Sequence, residues 1–303
     1  MPLLKIIILA IVQGLAELLP VSSSAHVVVA EKLLGQDPSS PSMTLLLVML
    51  HTGTMFAVIV YFWPQWRRTY FQDVLAFKNF AVRVIVATAL TAVIGEIIIK
   101  IIEKTVFRDV PHAQIEDLFS HLEFIAPALA AAGILILIAG IAEKRSSAQA
   151  LTGSTRALTG ASQAAAGAND ISVRQAGVIG AVQGLCLPFR GFSRSGATIS
   201  TAMLLGVMKS RAEAFSFALA VVLTPPVVAR EVMRLIQEHR ADPTTHLGSI
   251  AFSSVFGAVV AFLAGLLALK WLSRWLEGGR WYLFGIYCLV AAAGVMALHH
   301  AGY

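Results

Sequence analysis

Residues 13–26 of this 303-residue chain read QGLAELLPVSSSAH, and residues 183–198 read QGLCLPFRGFSRSGAT. In both stretches an apolar run meets a proline, and serines follow a few residues later. Proline has no amide hydrogen and fixes its own backbone angle, so it ends or bends a helix at that point. We therefore expect each stretch to form a turn between two short helices.

The apolar regions around these two turns cover residues 3–35, interrupted at Pro20, and residues 175–206, interrupted between Pro188 and Ser195. A helix needs roughly 20 residues to cross a hydrocarbon core of about 30 Å, and each half of these regions is shorter. Backbone that turns at membrane depth is tolerated where protein buries it. Both regions are therefore predicted to be re-entrant helical hairpins, which enter the membrane and return to the same side.

The composition is typical of a membrane protein, because 57% of the residues are apolar and only 13% are charged. A soluble chain of this length needs more charge on its surface. The sequence therefore predicts an all-α polytopic membrane protein that forms one domain over residues 1–303, with six transmembrane helices besides the two hairpins. The six predicted spans are residues 43–63, 84–102, 124–142, 213–235, 250–271 and 281–299.

The basic residues predict how the chain crosses the membrane. The net charge is +6, and lysines and arginines occur in the segments 67–83, 144–174 and 270–280, beside the predicted spans. Basic loops of membrane proteins are cytoplasmic, so both termini are predicted to be periplasmic. This placement argues against a nucleic-acid partner. Residues 146–170, rich in Ala, Ser, Gly and Thr, are predicted to be a flexible cytoplasmic linker.

The two broken regions resemble each other at three places, with an offset of 170 residues for the first block and 171 for the other two. The spans that follow them run in opposite directions. This pattern is typical of an inverted-topology repeat, with halves of approximately residues 1–142 and 171–303. The matching blocks are residues 12–15 with 182–185, 22–25 with 193–196, and 33–35 with 204–206.

Two broken helices that enter from opposite faces bring their turns together near the middle of the membrane. The N-terminus of a helix carries unpaired amide hydrogens and the positive end of the helix dipole, which together favour an anion. Serines precede both second helices, at residues 22–24 and at Ser193 and Ser195. Serine at such a position normally caps a helix, so two ordinary capped hairpins are the alternative.

Three ionisable residues lie in or beside these turns. Arg194 would bind phosphate oxygens with paired hydrogen bonds and stay charged when buried. Glu17 indicates function because an acid at membrane depth is costly, although a structural ion pair with Arg194 is the alternative. His26 could transfer protons or attack phosphorus. Together they indicate phosphoryl transfer, in which most of the work is positioning and neutralising oxygens.

Four other polar residues lie near the turns or within the predicted spans. Gln13 lies one helical turn before Glu17, on the same face. Arg190 is either a second phosphate clamp or a side chain that extends to the membrane interface. His51 lies on an apolar span and is predicted either to be a packing residue or to contact the residues that bind the ligand. Glu96 is predicted to be a buried acid.

These stretches resemble the undecaprenyl-diphosphate phosphatase family associated with bacitracin resistance. The resemblance rests on residues 13–26 and 191–198, and it covers essentially the whole chain. It implies a multi-pass hydrolase of the cell inner membrane, with its active site open to the periplasm, that produces undecaprenyl phosphate for cell-wall synthesis. The implied partners are a polyprenyl diphosphate and membrane lipids, and a homodimer is one assembly we consider. The implied cofactor is a divalent cation, Mg²⁺ or Ca²⁺.

The resemblance also implies roles for individual residues. The expected catalytic set is Glu17, Ser23, His26 and Arg194, with Glu17 also the expected metal ligand. Two departures stand out: Gln13 occupies the first acidic position of the motif, and Phe189 and Arg190 separate Pro188 from Gly191. The residues expected to bind substrate are Gln13, Ser22, Ser24, Ser193, Ser195 and Thr198.

The sequence leaves the chemistry and two other functions open. Ser23 or His26 attacks phosphorus, or His26 activates a water, while Glu17 orients the attacking group or binds the metal. A transporter or lipid flippase is the leading alternative, because inverted repeats with broken helices are also transporter architecture. The other broad class of membrane lipid phosphatase is a second alternative, although motif spacing and chain order argue against it.

Overall fold

The structure, a computed structural model, describes residues 2–37, 40–105, 121–153, 171–241, 247–276 and 279–302. These residues form ten α-helices and contain no β-strand. In chain order the helices are α1 (Leu3–Ala16), α2 (Ser23–Leu33), α3 (Pro41–Thr69), α4 (Val74–Thr105), α5 (Leu122–Gly153), α6 (Val173–Cys186), α7 (Arg194–Leu204), α8 (Lys209–Ala241), α9 (Leu247–Leu276) and α10 (Trp281–His300).

The predicted all-α fold with six spanning helices is confirmed, and the chain is a multi-pass membrane protein. Six helices contain a stretch that is long and apolar enough to cross a membrane. Their lengths follow from the hydrocarbon thickness, since each residue of a helix adds about 1.5 Å. The six stretches are Ser42–Thr69, Val74–Thr105, Leu122–Ser146, Lys209–Arg234, Gly248–Lys270 and Trp281–His300.

Several helices extend beyond the predicted spans. Arg67 and Arg68 lie in the last turn of α3, where positive charge suits the end of the helix dipole. Helix α5 continues to Gly153, so the first part of the predicted linker is helical, while residues 154–170 lie outside the described residues. The prediction that Glu96 is buried is wrong, because its side chain is 61% exposed and lies 3.2 Å from Lys100.

Both broken regions consist of two short helices, of 14 and 11 residues in each case. The residue just before the second helix has a left-handed backbone in both turns, with φ of 66° at Ser22 and 30° at Ser193. Each of these serines caps its helix, because its hydroxyl accepts a hydrogen bond from the amide of Ala25 or Gly196. The predicted breaks and caps are confirmed, while the path of the hairpins through a membrane stays a prediction.

The second helices also end alike. Gly35 and Gly206 follow α2 and α7, and both have positive φ, which glycine adopts without steric cost. The amide after each glycine donates back over the last turn of the helix, from Gln36 to Glu31 and from Val207 to Ala202. Since these ends keep the 171-residue offset, the extra residue of the second copy lies in the turn before α7.

The two halves of the chain pack through equivalent helices. Helix α3 packs against α8, and α5 against α10. Each first hairpin helix packs on a long helix of the other half, α1 on α9 and α6 on α4. A Cβ added at Gly14 would lie 2.5 Å from Ala264 Cβ, and one at Gly184 would lie 2.8 Å from Thr91 O, so only glycine permits this approach. Because each first hairpin helix packs on the other half of the chain, both turns lie in the interior of the protein.

Candidate active site

The carboxylate of Glu17 is the centre of a hydrogen-bonded cluster between the two turns. Glu17 follows the end of α1, and its side chain is only 10% exposed. Its Oε1 accepts a hydrogen bond of 2.6 Å from Arg194 Nη2. Its Oε2 accepts hydrogen bonds of 2.5 Å from Ser23 Oγ and 2.8 Å from Gln13 Nε2. The two turns were predicted to share one site, and the ion pair of Glu17 with Arg194 joins them directly.

Ser23 and Arg194 occupy equivalent positions in the two halves of the chain. Each is the first residue of its helix, α2 or α7, and directly follows the left-handed serine. Because the two helix starts face each other, their first side chains reach the same carboxylate from opposite halves. A hydroxyl and a guanidinium thereby lie together on one buried anion, an arrangement that suits recognition and attack of a phosphate.

His51 joins the cluster from α3. Its Nε2 lies 3.3 Å from Glu17 Oε2, and its Nδ1 lies 2.8 Å from the carbonyl oxygen of Leu47, one turn earlier in the same helix. The expectation that His51 is only a packing residue is therefore wrong, and its other predicted role, support of the site, matches the contact with Glu17. The sequence signal was present, because an ionisable residue inside an apolar span usually has a specific partner.

The cluster lies at a cavity of about 340 Å³. Its walls are the two turns, the part of α3 from Thr44 to Val58, and the part of α8 from Phe217 to Glu231. Apolar side chains form much of the α3 and α8 walls. The volume is in the range of sites for small ligands. It accommodates a polar head group with a short piece of an attached chain.

Further charged side chains line the same cavity: Arg190 from the turn before α7, and Arg230 and Glu231 from α8. Arg190 therefore lies on the cavity, and its use as a second phosphate clamp stays a prediction. Arg230 and Glu231 were not singled out from the sequence, although they lie inside a predicted span, where charge indicates function. A cavity lined by three arginines favours an anionic ligand.

Seven of the predicted site residues line the cavity, but three do not. Gln13 is fully buried and reaches the site only through Glu17. Thr198 is also fully buried, and its hydroxyl lies 2.6 Å from that of Ser216 in α8. The seven that line it are Glu17, Ser22, Ser23, Ser24, Ser193, Arg194 and Ser195.

His26 is the third residue that the structure does not bring to the cavity. Its Nδ1 lies 2.8 Å from the carbonyl oxygen of Ser22, and its Nε2 lies 2.7 Å from the hydroxyl of Tyr287 in α10. The two rings are also stacked, with centroids 5.6 Å apart. This position fits a residue that fixes α2 to α10, and it disagrees with the expected place of His26 beside a bound phosphate.

The residues around Glu17 do not fit a cation held by the protein alone. Mg²⁺ and Ca²⁺ require six or more oxygen ligands. The part of the chain that the structure describes has no group of three or more His, Cys, Asp or Glu side chains that could hold a metal. Both oxygens of Glu17 already accept hydrogen bonds from nitrogen or hydroxyl donors. Most ligands of a cation here would have to come from phosphate and water.

Comparison with known proteins finds the same protein family over nearly the whole chain. The family described as bacitracin resistance protein BacA matches residues 6–294. Undecaprenyl-diphosphatase 2 of Acinetobacter baylyi is 54% identical over 301 residues, which cover 98% of both chains. Undecaprenyl-diphosphatase of Christiangramia forsetii is 31% identical over 311 residues, which cover 99% of this chain and 100% of that protein.

The ion pair at the centre of the site can be measured by its effect on stability. Arg194→Met should lower the melting temperature in detergent, because it leaves the Glu17 carboxylate buried without its cation. In the double variant with Glu17→Gln the loss should be clearly smaller than the sum of the two single losses.

The matched control is the exposed pair of Glu96 and Lys100, for which Glu96→Gln and Lys100→Met should give small and additive changes. Additive losses at Glu17 and Arg194 would contradict the contact between the two halves.

Proposed function

Because the chain belongs to the bacitracin resistance protein BacA family, we propose that it hydrolyses undecaprenyl diphosphate to undecaprenyl phosphate and inorganic phosphate. The observation that carries this proposal is the meeting of Ser23 and Arg194 on the carboxylate of Glu17 at a membrane-embedded cavity. The names of the relatives support the substrate. The product would return to cell-wall synthesis as a lipid carrier, and the family description supports a role in bacitracin resistance.

In the proposed reaction Ser23 is the nucleophile and Glu17 is the general base. The Ser23 hydroxyl already donates to Glu17 Oε2, so the proton moves to Glu17 as the bond from Oγ to the terminal phosphorus forms. The bridging P–O bond breaks, and its electron pair leaves with undecaprenyl phosphate. Water then attacks the phosphorus of the phosphoserine, and the bond from phosphorus to Ser23 Oγ breaks. Oγ takes back the proton held by Glu17, and the oxygen of the water leaves as part of the phosphate, whose surplus proton passes to solvent.

Arg194 would neutralise the oxygens of the transferred phosphoryl group. A guanidinium has five donor hydrogens in a fixed plane, so it can bind phosphate oxygens while it keeps a hydrogen bond to Glu17. The hydroxyls of Ser22, Ser24, Ser193 and Ser195 line the same part of the cavity and would complete the contacts. In phosphoryl transfer such positioning and charge neutralisation are the main contributions of the protein.

The long prenyl tail would lie mostly outside the cavity. A volume of about 340 Å³ holds the diphosphate and the first part of the chain at most. Apolar side chains on the facing walls, such as Val58 in α3 and Phe217 and Val221 in α8, would surround that first part. The rest would extend into the bilayer, where its burial costs nothing further.

The cavity would face the periplasm in the inner membrane. It lies along the first half of α3 and the middle of α8. In α3 the basic residues Arg67 and Arg68 occupy the end away from the cavity, whereas α8 carries lysine or arginine toward both of its ends. Since the basic end of a spanning helix is cytoplasmic, the cavity is on the opposite side.

The divalent cation is proposed to arrive on the substrate. Phosphate oxygens and waters would supply most ligands, as is common for Mg²⁺ in phosphoryl transfer. A homodimer also stays a proposal, since exposed apolar residues of α4 such as Ile85, Val93 and Ile97 suit either lipid or a second copy. A flippase is not favoured, because the matched relatives are named as diphosphatases.

Arg194→Ala should reduce phosphate release from undecaprenyl diphosphate by about 10²–10³-fold, because it removes the main cation that would stabilise the transferred group. The assay uses purified protein in detergent, where hydrolysis proceeds but transport between compartments is impossible. Lys100→Ala, on the outer face of α4, is the control and should keep full turnover. Near-normal turnover of Arg194→Ala would refute the assignment.

A second set of variants tests whether Ser23 or His26 attacks the phosphorus. Ser23→Ala should lose activity by about 10³-fold or more, as expected when a nucleophile is removed. His26→Ala should stay within about fivefold of wild type, because the His26 side chain contacts Tyr287 and the Ser22 carbonyl oxygen and does not line the cavity. Thr105→Ala, which removes an exposed hydroxyl at the end of α4 away from the cavity, is the hydroxyl control and should keep full turnover. Full loss in His26→Ala with a properly folded protein would restore His26 as the attacking group or base.

The origin of the cation can be tested with a chelator. EDTA should abolish phosphate release and added Mg²⁺ should restore it, because the diphosphate needs its counter-charge to react. The melting temperature of the substrate-free protein should be the same with EDTA and with Mg²⁺, since the residues that the structure describes include no set of side chains that could hold a metal ion. Full turnover in EDTA would contradict a cation requirement, and a higher melting temperature with Mg²⁺ alone would indicate a protein-held ion.

A further inference from the structure

His51 contacts the same carboxylate oxygen that accepts the Ser23 hydrogen bond. Its Nε2 lies 3.3 Å from Glu17 Oε2, and Ser23 Oγ lies 2.5 Å from that oxygen. The His51 side chain is 29% exposed and lines the cavity. The ring is therefore placed between α3 and the reacting end of Glu17, where its orientation affects the direction in which Oε2 points.

The other ring nitrogen fixes the ring to its own helix. Nδ1 lies 2.8 Å from the carbonyl oxygen of Leu47, and a carbonyl can only accept, so Nδ1 carries a hydrogen. Nε2 faces a carboxylate oxygen, which is also an acceptor. When both nitrogens carry hydrogen, the ring donates to both oxygens and links Glu17 directly to the backbone of α3.

The part of α3 that carries His51 is itself held tightly. A Cβ added at Gly53 would lie 2.0 Å from the carbonyl oxygen of Ala258, so α3 and α9 are in backbone contact two residues from His51. Thr54, one residue further, is fully buried. A side chain on such a rigid element can hold a neighbouring group in a narrow range of positions.

We propose that His51 is a positioning residue of the hydrolytic site, which holds Glu17 Oε2 in line with Ser23 Oγ while Arg194 is engaged with the substrate. This inference rests on the proposed function. Arg194 donates to Oε1 in the resting site. A bound diphosphate would use other donors of the same guanidinium and draw it toward the phosphate, which weakens its hydrogen bond to Glu17 without breaking it. His51 then supplies the restraint on Glu17 that the substrate weakens at Arg194.

The test compares three replacements of His51 in the undecaprenyl diphosphate assay. His51→Leu removes the donor, and kcat should fall about 10- to 100-fold, the typical effect of one lost hydrogen bond to a charged group. KM should change less than twofold, because Arg194 and the serines remain. His51→Gln, whose amide can reach Glu17, should recover most of kcat. His51→Asn, which is too short to reach, should behave like His51→Leu.

Thr52→Ala is the matched control on α3, and it should keep both kcat and KM. Melting temperatures of all variants in detergent show whether a loss of turnover reflects unfolding. If His51→Leu fails to fold, the comparison of His51→Gln with His51→Asn still tests the proposal. Unchanged kcat in His51→Asn, or an equal loss in His51→Gln and His51→Asn, would overturn the positioning role. If wild type itself releases no phosphate, the proposed function fails instead.

Discussion

A carboxylate buried between apolar helices must be paired, and the pairing of Glu17 determines the arrangement around it. An unpaired charge there is costly, whereas donors in good geometry offset much of the cost of removing it from water. Glu17 obtains hydrogen bonds from Gln13 of α1, Ser23 of α2 and Arg194 of α7, and it lies beside His51 of α3. Loss of this carboxylate would leave a buried guanidinium at the meeting point of the two halves. The broken helices are therefore held together by the group that their turns enclose.

The two halves have similar backbones at the turns but different side chains at the equivalent positions. Both halves place a left-handed serine before the second helix of the hairpin and a glycine after it. The next position differs, with a hydroxyl at Ser23 in one half and a guanidinium at Arg194 in the other. Position 17 has Leu187 as its counterpart, so the site has one carboxylate at its centre and no matching charge to repel it. Divergence at these few positions is sufficient to make one site from two similar turns.

Features set by local sequence were predictable, and features set by how helices face each other were not. Span length, the breaks at Pro20 and Pro188, and the serine caps depend on neighbouring residues, and the structure contains all of them. The direction of a side chain depends on the rotation of its helix, which advances about 100° per residue. His26 follows the serines but faces Tyr287, whereas His51 comes from a different helix and faces Glu17. Glu96 was expected to be buried because it lies in a span, yet it faces outward beside Lys100.

The charges around the cavity also explain why a cation would accompany the substrate. The described residues that line it include three arginines and two glutamates, whose formal charges sum to +1, and a His51 that donates from both ring nitrogens, as proposed above, raises this sum to +2. A fully ionised lipid diphosphate carries three negative charges, so the protein alone would leave the complex negative in a medium of low dielectric constant. Such an excess is costly at membrane depth, and a divalent cation on the diphosphate removes it. The resting site can then remain nearly neutral, with Glu17 and Arg194 paired, and still accept a highly charged head group.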